Sequence, residues 1–243
     1  MTRTLITGGT RGIGAATALR LARDGHDLVL GWTRDARAAE ETRLAVEDAG
    51  AHCLLVRADL TEPDGVDRLF GEAGALTGVV NNAGATLHLG PLAETPPEVI
   101  AATVDLNLTA ALLVARAAVR ALGRSYGGPG GVLVNVSSGA ATLGSPGEYV
   151  QYAAAKAGVD ALTLGLAQEV AGDGIRVVGV APGIVRTTIH SDAGEPGRVD
   201  RVGPRVPLGR AGEPHEVADA IAWLMSDEAS YVAGTTLRVA GGR

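Results

Sequence analysis

The chain has one cysteine, Cys53, among its 243 residues, so no disulfide can form within it. No Cys/His group has the spacing of metal ligands, and no metal is expected. The net charge of −6 is spread along the chain without a basic block, which argues against a nucleic-acid partner. Nowhere do 18 apolar residues run unbroken, and the short apolar run at 4–6 lacks the long core of a signal peptide. A soluble, cytoplasmic protein without a membrane partner is the expectation. Aromatic residues make up only 3%, so the core must be filled by Ala, Val, Leu and Ile.

Lysine is scarcer still, because Lys156 stands alone beside 20 arginines. A guanidinium is always protonated and forked, whereas an ammonium is a compact charge that can exchange protons in a small site. Lys156 is therefore either kept for its chemistry or left over from a coding bias toward arginine.

Short β-branched runs alternate with Ala- and Leu-rich stretches of helical period, the pattern of parallel strands joined by helical crossovers. Strands are expected over 3–7, 27–32, 52–57, 78–81, 131–136, 175–180 and 235–239. Helices are expected near 13–23, 36–49, 65–73, 97–122, 149–171 and 213–225. The result is an α/β fold: a doubly wound, Rossmann-type sheet of seven parallel strands with helices on both faces, in one domain over 1–243. The alternation is interrupted only at 188–212, which is rich in Arg, Pro and Gly. That stretch is longer than an ordinary loop and reads as a lid over the carboxyl ends of the strands, or as an inert surface excursion.

Thr7-Gly8-Gly9-Thr10-Arg11-Gly12-Ile13-Gly14 follows the first strand and opens the first helix. Glycines there permit a tight turn and close backbone approach, while free N–H groups at the helix start attract a pyrophosphate. The loop reads as a dinucleotide site carried by Gly8, Thr10, Arg11, Gly12, Ile13 and Gly14. NAD sites usually place a carboxylate at the end of the second strand, but this strand ends Trp32-Thr33-Arg34, with Asp35 late. Arg11, Arg34 and the Thr33 hydroxyl could surround a 2′-phosphate, which favours NADP(H); as plain surface charges the two arginines would carry no such meaning.

Tyr152 and Lys156 are four apart in a run of helix formers, so they share a helix face. Spacing alone would equally describe an exposed pair, but Ser137 and Ser138 end the preceding strand at the edge where ligands bind. Acid/base work at neutral pH requires the phenol to titrate well below its usual value of about 10, and the Lys156 charge is expected to bring it down. The Ser138 hydroxyl could polarise a substrate carbonyl.

Taken together, Thr7-Gly8-x-x-x-Gly12-x-Gly14, Asp59, Asn81-Asn82-Ala83-Gly84, Asn107, Ser138, Tyr152-x-x-x-Lys156 and Pro182-Gly183 with Thr187 resemble the short-chain dehydrogenase/reductase family over the whole chain. The likeness is to its compact branch, including members similar to 3-oxoacyl-carrier-protein reductases and glucose dehydrogenases. By that resemblance Asp59 and Leu60 would lie at the adenine, and Asn82, Ala83 and Gly84 would brace the strand beside the cofactor. Pro182, Gly183, Val185 and Thr187 would line the nicotinamide. Asn107 would hold a water linking Lys156 to solvent, Lys156 would also bond the ribose, Tyr152 would donate the proton, and Ser138 would position the carbonyl. The resemblance also implies a homotetramer.

Two features depart from the pattern. Thirteen residues separate Ser138 from Tyr152, one more than is common in the ketoacyl reductases, and Pro146 and Tyr149 lie in that longer loop. The last strand reads Val239-Ala240-Gly241-Gly242, without the usual aspartate. The expected activity is reversible hydride transfer between NADP(H) and a small-molecule carbonyl or alcohol, with reduction favoured. An oxidative dehydrogenase of a sugar or steroid-like alcohol, or a catalytically silent NADP sensor or scaffold, are the alternatives. An enoyl reductase would have a wider Tyr-to-Lys spacing, and an extended-branch epimerase a longer chain. Residues 84–91, 142–149 and 188–210 should shape the substrate site, with His88 and His190 able to contact substrate.

Overall fold

A computed structural model describes residues 2–243. Its single sheet has seven strands, β1 (Thr2–Ile6), β2 (His26–Trp32), β3 (Cys53–Arg57), β4 (Gly78–Asn81), β5 (Gly131–Val136), β6 (Ile175–Pro182) and β7 (Thr236–Val239). All pair in parallel, in the order β3-β2-β1-β4-β5-β6-β7. Neighbouring strand residues face opposite sides. Leu5, Val29, Val79, Leu133 and Val177 enter one core layer, while Ile6, Leu30, Val80, Val134 and Val178 enter the other. Burial of both faces is why these strands read as continuous apolar runs.

One layer is covered by α1 (Gly12–Arg23) and α10 (Pro214–Met225), and α2 (Ala36–Asp48) lies beside α1. The other is covered by α3 (Pro63–Ala73), α5 (Ala110–Leu122) and α7 (Val150–Val170). The expected helix over 97–122 is present with a fault in it: α4 (Pro97–Val104) and α5 are joined by one π-helical turn, Asp105–Thr109. Such single wide turns often mark functional sites. With a mean hydropathy of 1.6 over 18 of its residues, Pro97–Leu122 is long and apolar enough to cross a membrane, yet here Ala110, Val114, Ala118 and Leu122 pack under the sheet.

Between β5 and α7 lies the short α6 (Ala140–Leu143). The expected lid is more ordered than its composition suggests. It forms α8 (Ile189–Asp192), α9 (Arg198–Val202) and a 3₁₀ turn, Gly203–Arg205, with Val199, Val202 and Val206 buried beneath it. β6 runs two residues past its expected end because Ala181 and Pro182 pair with Arg238 and Val239 of β7.

Candidate active site

The chain leaves β1 toward β2 on one side and returns through β4 on the other, so a crevice opens at the carboxyl ends of β1 and β4. Ligands bind open α/β sheets at such switch points. A cleft of about 740 Å³ occupies this place. The Gly8–Gly14 loop forms its floor, with Gly8 at φ +60° and Gly12 at φ +52°, left-handed values that favour glycine. Gly14 lies behind the wall, where a Cβ would sit 2.1 Å from the Gly8 carbonyl oxygen. The loop is pinned from β4: the Asn82 and Ala83 amides donate to Thr7 Oγ1 at 2.9 and 3.0 Å, and Asn82 Nδ2 donates to the Thr7 and Gly8 carbonyls at 2.9 and 3.2 Å.

Of the site residues expected from sequence, all but Gly14 and Asn107 line the cleft. Trp32, Thr33 and Arg34 form one end, with the Arg57 guanidinium 5.6 Å from the Trp32 ring. Asp35 is turned to another task, since its Oδ1 caps α2 by accepting from the Ala38 amide at 3.0 Å. Asp59 Oδ1 accepts from the Thr61 hydroxyl and amide, which holds its carboxyl below the usual range. Arg11 pairs with Asp192 of α8 at 3.2 Å, so the glycine loop touches the 188–212 segment directly.

At the other end stand Ser138, Tyr152 and Lys156. Tyr152 and Lys156 are buried on the inner face of α7, one helical turn apart. Lys156 Nζ donates to the Val136 carbonyl at 2.9 Å, while Ser137 Oγ donates to the Lys156 carbonyl at 3.1 Å. Burial lowers the ammonium to about 8.

The expected lowering of Tyr152 by Lys156 is not what the structure shows. Burial pushes the phenol above its usual range, and only the Ser138 hydroxyl beside it pulls in the opposite direction. Lys156 Nζ, bound to Val136, lies 5.8 Å from the Tyr152 ring centre, and a desolvated phenol is harder to ionise than that charge can offset.

Asn107 is fully buried in the π-turn. Its Nδ2 donates to the Ala85 and Thr103 carbonyls, both at 2.9 Å, and its Oδ1 accepts from the Ala85 amide at 3.1 Å. It meets the site through Gly84, where a Cβ would lie 2.7 Å from Asn107 Oδ1 and 3.1 Å from Lys156 Nζ.

The segments expected to shape the substrate site bring Glu148, Tyr149, His190 and Arg198 to the cleft, and burial next to Arg198 lowers the His190 imidazole to about 4. The pairing of Glu148 with Arg198 was not expected. Glu148 and Arg198 lie fifty positions apart, without a local pattern to connect them. His88 does not line the cleft; its Nε2 is buried beneath Gly90. No group of His, Cys, Asp or Glu among the described residues is arranged to hold a metal ion.

The seven-stranded sheet with helices on both faces agrees with comparisons to known proteins. The family described as enoyl-(acyl carrier protein) reductase matches residues 8–243. The uncharacterized oxidoreductase YgfF of Escherichia coli (strain K12) is 44% identical, with 98% of each chain covered. Cis-4-hydroxycyclohexanecarboxylate dehydrogenase of Sinomonas cyclohexanicum is 40% identical over 98% of this chain and 94% of its own. A short-chain dehydrogenase from Burkholderia cenocepacia J2315, solved in complex with NADP, superposes with a TM-score of 0.88 at 33% identity, covering 99% of this chain and 97% of that one. The chain belongs to the short-chain dehydrogenase/reductase family. It is an oxidoreductase of that family, whose members use a nicotinamide cofactor.

Proposed function

We propose that the protein is an NADP(H)-dependent reductase that interconverts a ketone and a secondary alcohol, working as one domain under the 188–212 lid. The observation that carries this reading is the convergence of Ser138, Tyr152 and Lys156 on one wall of the cleft whose floor is the glycine loop.

The cleft suits a dinucleotide: Gly8 and Gly12 let a ligand approach the backbone of the floor, and the first residues of α1, where free N–H groups attract a phosphate, line the same floor. Gly8, Thr10, Arg11, Gly12 and Ile13, with Gly14 behind them, would hold the pyrophosphate, and Asp59 and Leu60 the adenine. Asn82, Ala83 and Gly84 would back the central part, and Pro182, Gly183, Val185 and Thr187 the nicotinamide. Arg11, Trp32, Thr33 and Arg34 would surround the 2′-phosphate, a choice supported by Asp35 being committed to its helix cap. When bound, the cofactor supplies the hydride.

The chain's own residues handle the oxygen. Ser138 hydrogen-bonds the substrate carbonyl and Tyr152 passes its phenolic proton to that oxygen. Burial keeps the phenol protonated, the state a proton donor to the substrate oxygen requires. Lys156 holds the ribose and, with Asn107, the route by which the proton is replaced. Leu87, Leu106, Leu143 and Ile189 give the remaining wall apolar patches among its polar residues, which suits a ketone with a hydrocarbon skeleton. Alicyclic ketones are natural candidates, because one relative is named for oxidising a substituted cyclohexanol. A cytoplasmic homotetramer is part of the same reading.

The test is reduced-cofactor consumption against a panel of alicyclic, acyclic and enoyl substrates, with NADPH and NADH side by side. Turnover of ketones with NADPH, lost in Tyr152→Phe, is the expected result. Equal turnover by Tyr152→Phe would overturn the mechanism, and a preference for NADH would overturn the Arg11 and Arg34 assignment.

A further inference from the structure

Arg198, on α9 of the lid, is 3% exposed, and a guanidinium that deep needs partners. It takes them from the wall in front of the catalytic helix. Nη1 and Nη2 donate in parallel to Glu148 Oε1 and Oε2 at 2.9 and 2.5 Å, and Nη2 also donates to the Tyr149 hydroxyl at 3.0 Å. Its Cζ lies 5.0 Å from the centre of the Tyr149 ring. Glu195 on the lid accepts from Nη1 at 3.0 Å and also pairs with Arg201, so two cations and two carboxylates form one near-neutral cluster. The Arg198 hydrogen bonds hold the Glu148 carboxyl below the usual range.

Tyr149 is the residue immediately before α7 and sits edge-on to Tyr152, ring centres 5.5 Å apart at 89°. Close edge-to-face pairs fix each other's ring planes. The turn that delivers Glu148 and Tyr149 contains Ser145 at φ 47°, the one non-glycine residue with left-handed backbone among the described residues. Non-glycine residues adopt that conformation where the surroundings impose it, and such sites cluster at functional walls.

We propose that Arg198 is a positioning residue: clamping Glu148 and Tyr149, it sets the ring plane of Tyr152, so that the proton donor is aligned only when the lid is down. The clamp rests on Tyr152 being the proton donor. The lid thereby does more than cover substrate, because it carries the group that orients the phenol. A misalignment of about 1 Å in a reacting group can cost about a hundredfold in rate, and among the described residues Tyr149 is the one aromatic ring packed against Tyr152.

The experiment uses Arg198→Met, Arg198→Lys, Glu148→Gln, Tyr149→Phe and the Arg198→Met/Tyr149→Phe double variant, with Tyr152→Phe as reference. Arg198→Met is expected to lower kcat about ten- to hundredfold with little change in the KM for NADPH, as for a group that aligns rather than binds. Glu148→Gln should do the same and Arg198→Lys should recover part of the loss. The double variant should be no slower than the worse single one, since both act through one contact. Independently of turnover, 3-fluorotyrosine labelling gives four ¹⁹F resonances, one per tyrosine, assigned by Tyr152→Phe and Tyr149→Phe. The Tyr152 line should shift or broaden in Arg198→Met and return toward the parent in Arg198→Lys. A raised ketone KM at unchanged kcat, multiplicative losses in the double variant, or an unmoved Tyr152 line would each overturn the clamp. Full activity of Tyr152→Phe would instead remove the reading beneath it, and the clamp with it.

Discussion

Replacing Lys156 by Met should make the protein more stable at neutral pH while abolishing turnover. The folded structure lowers this ammonium from about 10.5 to about 8. That difference corresponds to about 3 kcal/mol against the charged form in the folded state. Met matches the length of the stem without the charge, but leaves the Val136 carbonyl without its donor, a loss of about 1 kcal/mol. The net gain is about 2 kcal/mol, or a melting point higher by about 4–8 °C in a chain of this size.

The sign reverses with pH. Below pH 8 both folded and unfolded parent carry the proton, and the full desolvation cost is present. Between pH 8 and about 10.5 the folded lysine is neutral while the unfolded chain still binds a proton, so the parent's stability climbs. Above that window the advantage of Met has gone. The assay is a pair of cofactor-free melts, parent and Lys156→Met, at neutral pH and above pH 10. A variant that melts lower than the parent at neutral pH would refute the reasoning, because the ammonium would then be a net stabiliser of the fold.

Gly14→Ala would force a Cβ to 2.1 Å from the Gly8 carbonyl, so NADPH binding measured by fluorescence titration should fall below detection. Gly71→Ala, in open space on α3, should instead stabilise by up to about 1 kcal/mol, read as a melting point about 2–4 °C higher. Gly84→Ala places its methyl against Asn107 and Lys156, and kcat should fall about tenfold or more with little effect on NADPH affinity. Arg34→Asp should lower the ratio of NADPH to NADH kcat/KM about ten- to hundredfold through loss of a charged hydrogen bond, checked by steady-state kinetics with both cofactors.

The inner strands were legible because both sheet faces are buried there, which leaves an apolar, β-branched run at each one; the ends missed by a residue or two. β6 reaches Pro182 only through its pairing with β7, a contact no local pattern announces. The glycine loop and the Tyr152–Lys156 pair could be picked out because each sets its residues within a few positions of one another, and the fold brings both to one cleft. Glu148 and Arg198 could not, since only the folded lid brings them together. The lid helices are too short and too polar for periodicity to show them. The direction of the Tyr152 shift was misread for a related reason: proximity in sequence gave the cation, but burial, which decides the sign, belongs to the tertiary structure.

The π-turn at Asp105–Thr109 has a further consequence. One extra residue in a helix advances its angular phase by about 100°. α4 and α5 therefore run as one rod but with their faces out of step, so a heptad or amphipathic reading carried from Pro97 through to Leu122 assigns the wrong side to one half. Deleting a single residue beside Asn107 would straighten the rod and turn α4 by about 100° against α5. The Asn107 amide would leave Ala85, and the apolar face of one half would swing off its support. The helix is thus intolerant of a length change that an ordinary helix of the same composition would absorb at its ends, and the bulge fixes the register between cleft wall and core.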